Sequence, residues 1–320
     1  MIAAIALVTL LVQGQPETGK LFSTDIEKPQ TKYWCQLPES YVADRQWPVM
    51  VILHGAGDTA ENFIKFWSAG GSQAKFILAA VKSRGQAWDD SDGDVILAVL
   101  TDVKKRYSVD ADRQLLLGYS SGGFMATRWG FKNTQYWRSI TAIAGAEPGA
   151  GKDYNVAKAR GMTVLVECGE RDPNMGCCKS VFEKVQKDGF DCASNWVPKM
   201  EHSPLLPEAA VWVYEQLLKR LNAPIEVIKR ARKATSEKRF GEAISAYQEL
   251  AAQKDDEKAA KAAATELAKI EKTANDKLAD AQRKLEKGDK PGAKKLFEEV
   301  AKYAGLEAAA KAAEALKELR

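Results

Sequence analysis

The sequence predicts an α/β fold with a mostly parallel sheet flanked by helices, followed by an all-α helical domain. Up to about residue 222, short apolar runs alternate with amphipathic stretches, as strands alternate with helices in such folds. Beyond residue 226 there is a single Pro, and Ala, Lys and Glu dominate, which is typical of exposed helices. The charge divides at the same place, since the last 95 residues hold 22 basic and 18 acidic side chains and the first 225 hold 25 of each.

The composition of the 320 residues, 45% hydrophobic and 28% charged, excludes disordered and collagen-like chains. A net charge of +4 does not indicate a nucleic-acid partner. The five Cys form no Cys-x-x-Cys pattern, and an odd count suits neither a full disulfide framework nor a metal cluster. We therefore expect no metal, and buried or free thiols with at most one bridge.

An apolar run at residues 2–12 is too short to span about 30 Å of hydrocarbon as a helix. It predicts a signal peptide at residues 1–14 and export to the periplasm or the cell exterior. A buried N-terminal strand or a misassigned start codon is the alternative. No membrane span is expected.

The apolar runs of the first part are nearly continuous, as in strands buried on both faces. Strands are expected at 48–53, 76–81, 114–117, 139–144 and 163–166, with one more at 195–197 and an edge strand at 33–36. Helices are expected at 59–67, 95–107, 123–129, 179–187 and 207–221.

The motif GYSSGG at 118–123 indicates a nucleophilic serine because of the segments on either side of it. QLLL precedes it and FMATRW follows, which predicts the strand, sharp turn and helix of a nucleophile elbow. Side chains at Gly118 and Gly122 would crowd the turn that lifts the Ser120 hydroxyl above the sheet edge. This context favours Ser120 as a nucleophile over a Gly-rich turn without chemistry.

A serine nucleophile needs a base, and histidine suits neutral pH. The chain has two, His54 and His202. His202 lies between the last predicted strand and the last helix of this part, where a loop above the sheet would present it, so we predict that it is the base. His54 closes a strand, and we expect it to pack and hydrogen-bond within its own loop.

The base needs a carboxylate on its other ring nitrogen. Glu170 and Asp172 both follow the strand at 163–166, and loops after parallel strands reach the active-site edge of the sheet. Asp172 lies further along this loop and is favoured, whereas Glu170 could pair with Arg171 or face solvent. The order Ser120, Asp172, His202 is that of α/β-hydrolases.

Residues 30–221 resemble small α/β-hydrolases of the esterase and polyhydroxybutyrate-depolymerase/feruloyl-esterase type, and are similar to the phospholipase/carboxylesterase and dienelactone-hydrolase groups. The matching segments are LHGAGDTAENF (53–63), VDADRQLLLGYSSGGFMA (109–126), CGERDPN (168–174) and EHSPLLPEA (201–209). The resemblance implies a carboxylic ester substrate, an acyl-enzyme on Ser120, Asp172 as the acid and no cofactor. It also implies an oxyanion hole made by the backbone N–H groups of Ala56 and Ser121.

Two features depart from this family pattern. Glu201 stands where such enzymes often have Gly before the histidine, and the chain has no room for a separate lid domain, which suggests an open site. Arg84, Trp88 and the acidic stretch 89–92 follow a strand, and they either border the substrate or form a solvated surface loop.

The C-terminal part contains an internal repeat, since residues 231–251 align with 281–301 at an offset of 50. Ala243 then matches Ala293, and Tyr247 matches Phe297, in an arrangement similar to tetratricopeptide units. Helices are expected near 225–236, 240–253, 257–287, 291–303 and 306–319. Such repeats commonly bind proteins or peptides, although a solvated helical appendage fits the pattern equally well.

The sequence therefore predicts an α/β-hydrolase catalytic domain at 20–222 and a helical domain at 226–320. A serine ester hydrolase is the leading hypothesis for its function. The alternatives are a catalytically weak or inactive scaffold that acts through its helices, and a serine peptidase with the same triad.

Overall fold

A computed structural model of the chain describes residues 18–71, 75–148, 161–202, 207–252 and 257–319. The predicted signal peptide at 1–14 lies outside the described residues. The chain forms two compact units, Met1–Gln216 and Leu217–Arg320, which are called here the sheet unit and the helical unit.

The sheet unit contains an eight-stranded sheet with the order β1-β2-β4-β3-β5-β6-β7-β8. Strands β1 and β2 are antiparallel to their neighbours, and all other neighbouring strands run parallel. The strands are β1 Leu21–Ile26, β2 Thr31–Gln36, β3 Trp47–Leu53, β4 Ile77–Val81, β5 Val109–Tyr119, β6 Ser139–Ile143, β7 Thr163–Gly169 and β8 Asp191–Val197.

Every apolar run that the sequence assigned to a strand lies in this sheet, but one placement was wrong. The segment 33–36, predicted as an edge strand, belongs to β2, which pairs on one side with β4 and on the other with β1. Strand β1 forms the edge instead. Its sequence LFSTDI is only half-buried and alternates weakly, so it lacks the continuous apolar signal of the inner strands.

Five helices accompany the sheet: α1 Ala60–Gly71, α2 Gly93–Arg106, α3 Ser121–Lys132, α4 Met175–Lys187 and α5 Pro207–Leu221. All seven residues of β3 are buried, and both α1 and α3 contact this strand. Helix α5 is held by Tyr214, whose hydroxyl donates to the Trp67 carbonyl at 2.8 Å and whose ring stacks on Phe76. Because neighbouring strands from β4 to β8 in the sheet run parallel, their carboxyl ends share one edge of the sheet, and the candidate site lies at this edge.

The helical unit has its own core, built from α6 Pro224–Ser236, α7 Phe240–Ala251, α8 Glu257–Glu286, α9 Lys290–Ala301 and α10 Glu307–Glu318. Ala243 and Ala293 are fully buried, and Tyr247 and Phe297 are each 1% exposed. Positions paired by the 50-residue offset are thus buried alike. Among the described residues, no helix has the length and apolarity needed to cross a membrane.

Candidate active site

Ser120 stands at a sharp turn between the end of β5 and the start of α3, with φ 51° and ψ −116°. A non-glycine residue in such a conformation costs about 1–3 kcal/mol, which the surrounding structure must supply. A Cβ on Gly118 would lie 2.0 Å from the Gly122 carbonyl oxygen, and one on Gly122 would lie 2.2 Å from the Leu53 carbonyl oxygen. The glycines therefore permit the close backbone packing that presents the Ser120 hydroxyl.

A chain of hydrogen bonds joins the three residues that the sequence singled out. Ser120 Oγ lies 3.0 Å from His202 Nε2, and His202 Nδ1 lies 2.8 Å from Asp172 Oδ2. Because a carboxylate accepts, Nδ1 carries the proton and Nε2 is left to accept the serine proton. The Asp172 side chain is fully buried, whereas 34% of the His202 side chain is exposed. In this arrangement His202 can take the proton of Ser120, and its partial exposure lets a substrate reach the pair from solvent.

The loop that carries Asp172 is tied to the loop that carries His202. The Arg171 N–H donates to the Met200 carbonyl at 2.9 Å, and a Cβ on Gly169 would lie 2.3 Å from that same oxygen. Asp172 Oδ1 accepts the Asn174 N–H at 2.7 Å, which leaves Oδ2 for the histidine. The Glu170 side chain is exposed. The structure thus brings Asp172, and not Glu170, to the ring of His202.

Asn174 is a supporting residue that sequence reasoning missed. Its Nδ2 donates at 2.8 Å to the carbonyl of Ala144, which follows β6 with φ 51°. The next residue, Gly145, lies so close to the elbow that a Cβ there would be 2.5 Å from the Ser120 carbonyl oxygen. Asn174 therefore links the acid loop to the backbone beside the nucleophile. The only signal in the sequence is an Asp-Pro-Asn turn.

Tyr119 is a second contact that the sequence did not predict. Its ring stacks on the ring of His202, with centroids 5.7 Å apart and planes 16° apart. Burial raises the pKa of Tyr119 to about 12, so the phenol stays neutral beside the histidine. Tyr119 thus offers a flat, uncharged surface that restricts the tilt of the His202 ring.

His54 has the packing role that the sequence suggested. Its Nδ1 donates to the Gly55 carbonyl at 2.8 Å, and its Nε2 accepts from the Ser83 N–H at 3.4 Å. The ring lies against Trp88, whose indole N–H donates to the His54 carbonyl at 2.8 Å. Burial lowers the pKa of His54, so its ring is held neutral. With both nitrogens occupied, His54 shapes the loop after β3.

The two residues expected to form an oxyanion hole, Ala56 and Ser121, lie on separate segments near Ser120. Ser121 is the first residue of α3, where a backbone N–H has no partner inside the helix. Ala56 lies in the loop after β3, and a Cβ on neighbouring Gly55 would be 3.6 Å from the Ser120 Cβ. Neither N–H donates a hydrogen bond within the part of the chain that the structure describes.

The loop after β4 supports this arrangement. The Trp88 N–H donates to Ser121 Oγ at 3.0 Å, and Trp88 itself is buried. Arg84 forms a two-point ion pair with Asp94 at 2.7 Å, and Arg128 pairs with Asp90 at 2.7 Å, both near the surface. Trp88 thus belongs to the frame of the site, while the charged residues anchor the loop from outside.

The cysteines of the described chain are thiols on several different elements of the sheet unit. Cys35, Cys168, Cys177, Cys178 and Cys192 form no disulfide with one another. Within the described ranges, no group of three or more His, Cys, Asp and Glu side chains is placed to hold a metal ion.

Glu167 carries a buried carboxyl group on a strand separated from β5 by β6. It lies on β7, only 1% exposed, and accepts a hydrogen bond from Asn195 Nδ2 at 3.1 Å. Its Oε1 has no hydrogen-bond partner among the residues that the structure describes. Burial raises the pKa of Glu167 from 4.5 to about 7, and the Asn195 bond offsets this only in part.

The shifted pKa of Glu167 predicts a pH-dependent stability. Between about pH 4.5 and 7 the folded state holds a proton that the unfolded state has released, so stability falls as pH rises through that window. We expect Glu167→Gln to reduce this loss by ~3 kcal/mol, measured by urea unfolding at the two ends of the window. The exposed Glu170→Gln serves as control. Parallel pH profiles for wild type and Glu167→Gln would show that the carboxyl is not protonated in the fold.

No family model matches the chain. Among curated proteins it is similar to the putative esterase NocK of Nocardia uniformis subsp. tsuyamanensis, with 26% identity over 140 residues. This match covers 39% of the chain and 40% of NocK, so it spans well under half of that relative's length.

Solved structures similar to the chain share the architecture of its sheet. A ferulic acid esterase has 16% identity and a TM-score of 0.52, covering 63% of this chain and 96% of that one. An arylesterase has 12% identity and a TM-score of 0.51, covering 63% and 86%. FphF, a fluorophosphonate-binding serine hydrolase of Staphylococcus aureus, has 12% identity and a TM-score of 0.50, covering 63% and 98%. The sheet unit therefore has the α/β-hydrolase fold.

Proposed function

We propose that the protein is a carboxylic ester hydrolase that forms an acyl-enzyme on Ser120. The proposal rests chiefly on one observation, the hydrogen-bond chain from Ser120 Oγ through the His202 ring to the buried Asp172 carboxylate. A serine at an elbow, a histidine with the correct tautomer and a buried orienting carboxylate are the three parts that this chemistry needs.

The first half of the reaction acylates the enzyme. Ser120 Oγ attacks the ester carbonyl while His202 Nε2 takes its proton, and the developing oxyanion accepts hydrogen bonds from the Ala56 and Ser121 N–H groups. A donor of this type contributes about 10²- to 10³-fold to the rate. His202 then gives its proton to the leaving alcohol. Asp172 stabilises the imidazolium that exists between these two proton transfers.

The second half releases the acid. Water loses a proton to His202 Nε2 and attacks the acyl carbon, and collapse of the second tetrahedral intermediate returns the proton to Ser120 Oγ. Tyr119 and the link from Asn174 to Ala144 keep the ring and the acid loop in place through both halves. All of these steps use side chains and amides of the chain itself.

Ester hydrolysis is favoured over the two alternatives for separate reasons. Complete triad geometry argues against an inactive scaffold. The relatives whose printed names specify a substrate bond are esterases, which favours an ester over a peptide bond. Assaying the purified protein on p-nitrophenyl esters, feruloyl esters, polyhydroxybutyrate and peptides tests this, and we expect ester turnover. Turnover of peptides alone would establish a peptidase, and turnover of none would establish the scaffold.

We also propose that the helical unit is an accessory to catalysis, with a domain boundary at 222–226. Helix α5 runs to Leu221, and Pro224 begins α6. The compact units divide earlier, between Gln216 and Leu217, which falls inside α5. A cut after Leu221 is preferable because it leaves α5 intact, and the core of the helical unit begins only at Val227.

Truncation after Leu221 should leave turnover of a small ester close to that of the full chain, because every proposed triad and oxyanion residue lies before that point. Polymer or partner attachment should weaken, since a second point of attachment raises effective concentration. Parallel assays on p-nitrophenyl acetate and on a polymeric ester measure both effects. Loss of small-ester activity in a truncated protein that retains its circular dichroism spectrum would mean that the helices complete the site.

We propose that residues 226–320 bind a protein partner, because positions 50 residues apart in this region are buried alike, as in a helical repeat.

We also propose that the protein is exported, with residues 1–14 as its signal peptide. Recovery of the chain from a periplasmic fraction with a newly cleaved N-terminus tests export. Retention of the intact N-terminus inside the cell would contradict it.

A further inference from the structure

The helical unit contains a cavity of about 450 Å³. This is within the range of about 300–1,000 Å³ that is usual for small-molecule sites. Residues of α6, α7 and α8 line it together with Tyr303, which follows α9. The catalytic proposal does not use any of these residues.

The apolar part of this cavity is aromatic. Phe240 and Tyr303 stack face to face, with centroids 4.1 Å apart and planes 10° apart. Tyr247 and Ile270 also line the cavity and are 1% and 7% exposed. Burial raises the pKa of Tyr247, so its phenol stays neutral in this lining. Such a lining favours a flat apolar group, because aromatic rings pack best against other rings in stacked or edge-to-face geometries.

The charged part of the cavity is predominantly basic. Arg232, Lys269 and Lys277 line it, with Glu266 as the single lining carboxylate. Arg232 and Lys269 both pair with Glu266, each at 3.3 Å and each through a different oxygen. About two thirds of the Arg232 and Lys269 side chains is exposed, so these two cations lie where a ligand can enter. The third basic residue, Lys277, pairs with Glu299 at 2.7 Å. Arg232 and Lys269 share the single carboxylate of Glu266, so this pair of cations carries one positive charge that an anionic ligand can match.

We propose that this cavity binds an aromatic carboxylate, with its ring among Phe240, Tyr303 and Ile270 and its carboxylate between Arg232 and Lys269. A carboxylate suits Arg232 because guanidinium and carboxylate form two parallel hydrogen bonds. A cavity of about 450 Å³ that is lined by both aromatic and basic side chains favours a small acid over an extended acidic peptide. The proposal does not depend on the activity of Ser120.

The probe is 2-naphthoate, titrated into the full-length protein by calorimetry, with neutral 2-naphthamide as the matched ligand. We expect one site for the acid, at least about tenfold weaker binding of the amide, and weaker binding of the acid at higher salt because exposed charges are screened. A shift of the Ile270 methyl NMR signal on titration locates the acid in this cavity and not beside Ser120.

Four variants sharpen the test. Arg232→Gln and Phe240→Leu should each weaken binding at least about tenfold, which is about 1.4 kcal/mol. Glu266→Gln should strengthen it, because it frees two cations that the native glutamate occupies. The control is Arg283→Gln, which removes an exposed arginine of the same unit that does not line the cavity.

The proposal is overturned if the acid and amide bind equally, if Arg232→Gln binds as well as Arg283→Gln, or if Glu266→Gln weakens binding. It is also overturned if a short acidic peptide shifts the Ile270 methyl signal while 2-naphthoate does not, since the cavity would then be a peptide site. Circular dichroism of each variant confirms that lost binding does not come from lost structure.

Discussion

Ser120→Ala should abolish labelling by a fluorophosphonate probe and lower ester turnover by about 10⁶-fold, the size of effect seen when a triad nucleophile is removed. The reason is local. Ser120 is the residue at the turn between β5 and α3, and its Oγ lies 3.0 Å from His202 Nε2. Alanine keeps the backbone and both proposed oxyanion amides but has no oxygen to attack the ester. Mass spectrometry of the labelled protein and steady-state assays measure the two effects.

Ser121→Ala is the matched control for this prediction. Ser121 adjoins the nucleophile, but its Oγ accepts a hydrogen bond from the Trp88 N–H and does not contact His202. Its proposed contribution is its backbone N–H, which alanine retains. We expect Ser121→Ala to be labelled and to keep most of its activity. Equal labelling of Ser120→Ala and wild type would refute the triad, whichever residue carried the probe.

The inner strands of the fold could be predicted because burial on both faces leaves a simple signal in the sequence. All residues of β3 and β6 are buried, so both read as continuous apolar runs. Strand β1 is only half-buried and pairs along one side, so its sequence carries no comparable run. The same physical difference explains why the edge of the sheet was assigned to β2.

In the candidate site, residues marked by a local sequence pattern could be predicted, and contacts between distant segments could not. Ser120 could be predicted because its turn needs glycines at fixed neighbouring positions, and His202 because the chain has two histidines to choose from. The bond from Asn174 to Ala144 and the stacking of Tyr119 on His202 join segments that are distant in the chain. These contacts depend on how β5, β6 and the acid loop meet in three dimensions, and no residue pattern specifies that meeting.

Asp172→Asn should lower turnover by about 10⁴-fold while leaving the fold intact. Asparagine keeps the shape of the side chain and can still accept the Asn174 N–H, which now bonds to Asp172 Oδ1. It removes the negative charge that faces His202 Nδ1 at 2.8 Å, so the ring loses the partner that fixes its tautomer and stabilises its protonated form. Because Asp172 is buried, no water replaces the lost carboxylate at that position.

Glu170→Gln tests the competing assignment of the acid. Glu170 lies two residues away on the same loop, but its side chain is exposed and its backbone N–H is bonded to the Val197 carbonyl. Its substitution should change turnover little. The decisive measurement is kcat/KM for both variants on one p-nitrophenyl ester, with unfolding midpoints to confirm that each is folded. If Glu170→Gln loses about 10⁴-fold and Asp172→Asn keeps wild-type turnover, the orienting carboxylate is Glu170 and the acid loop must rearrange when substrate binds.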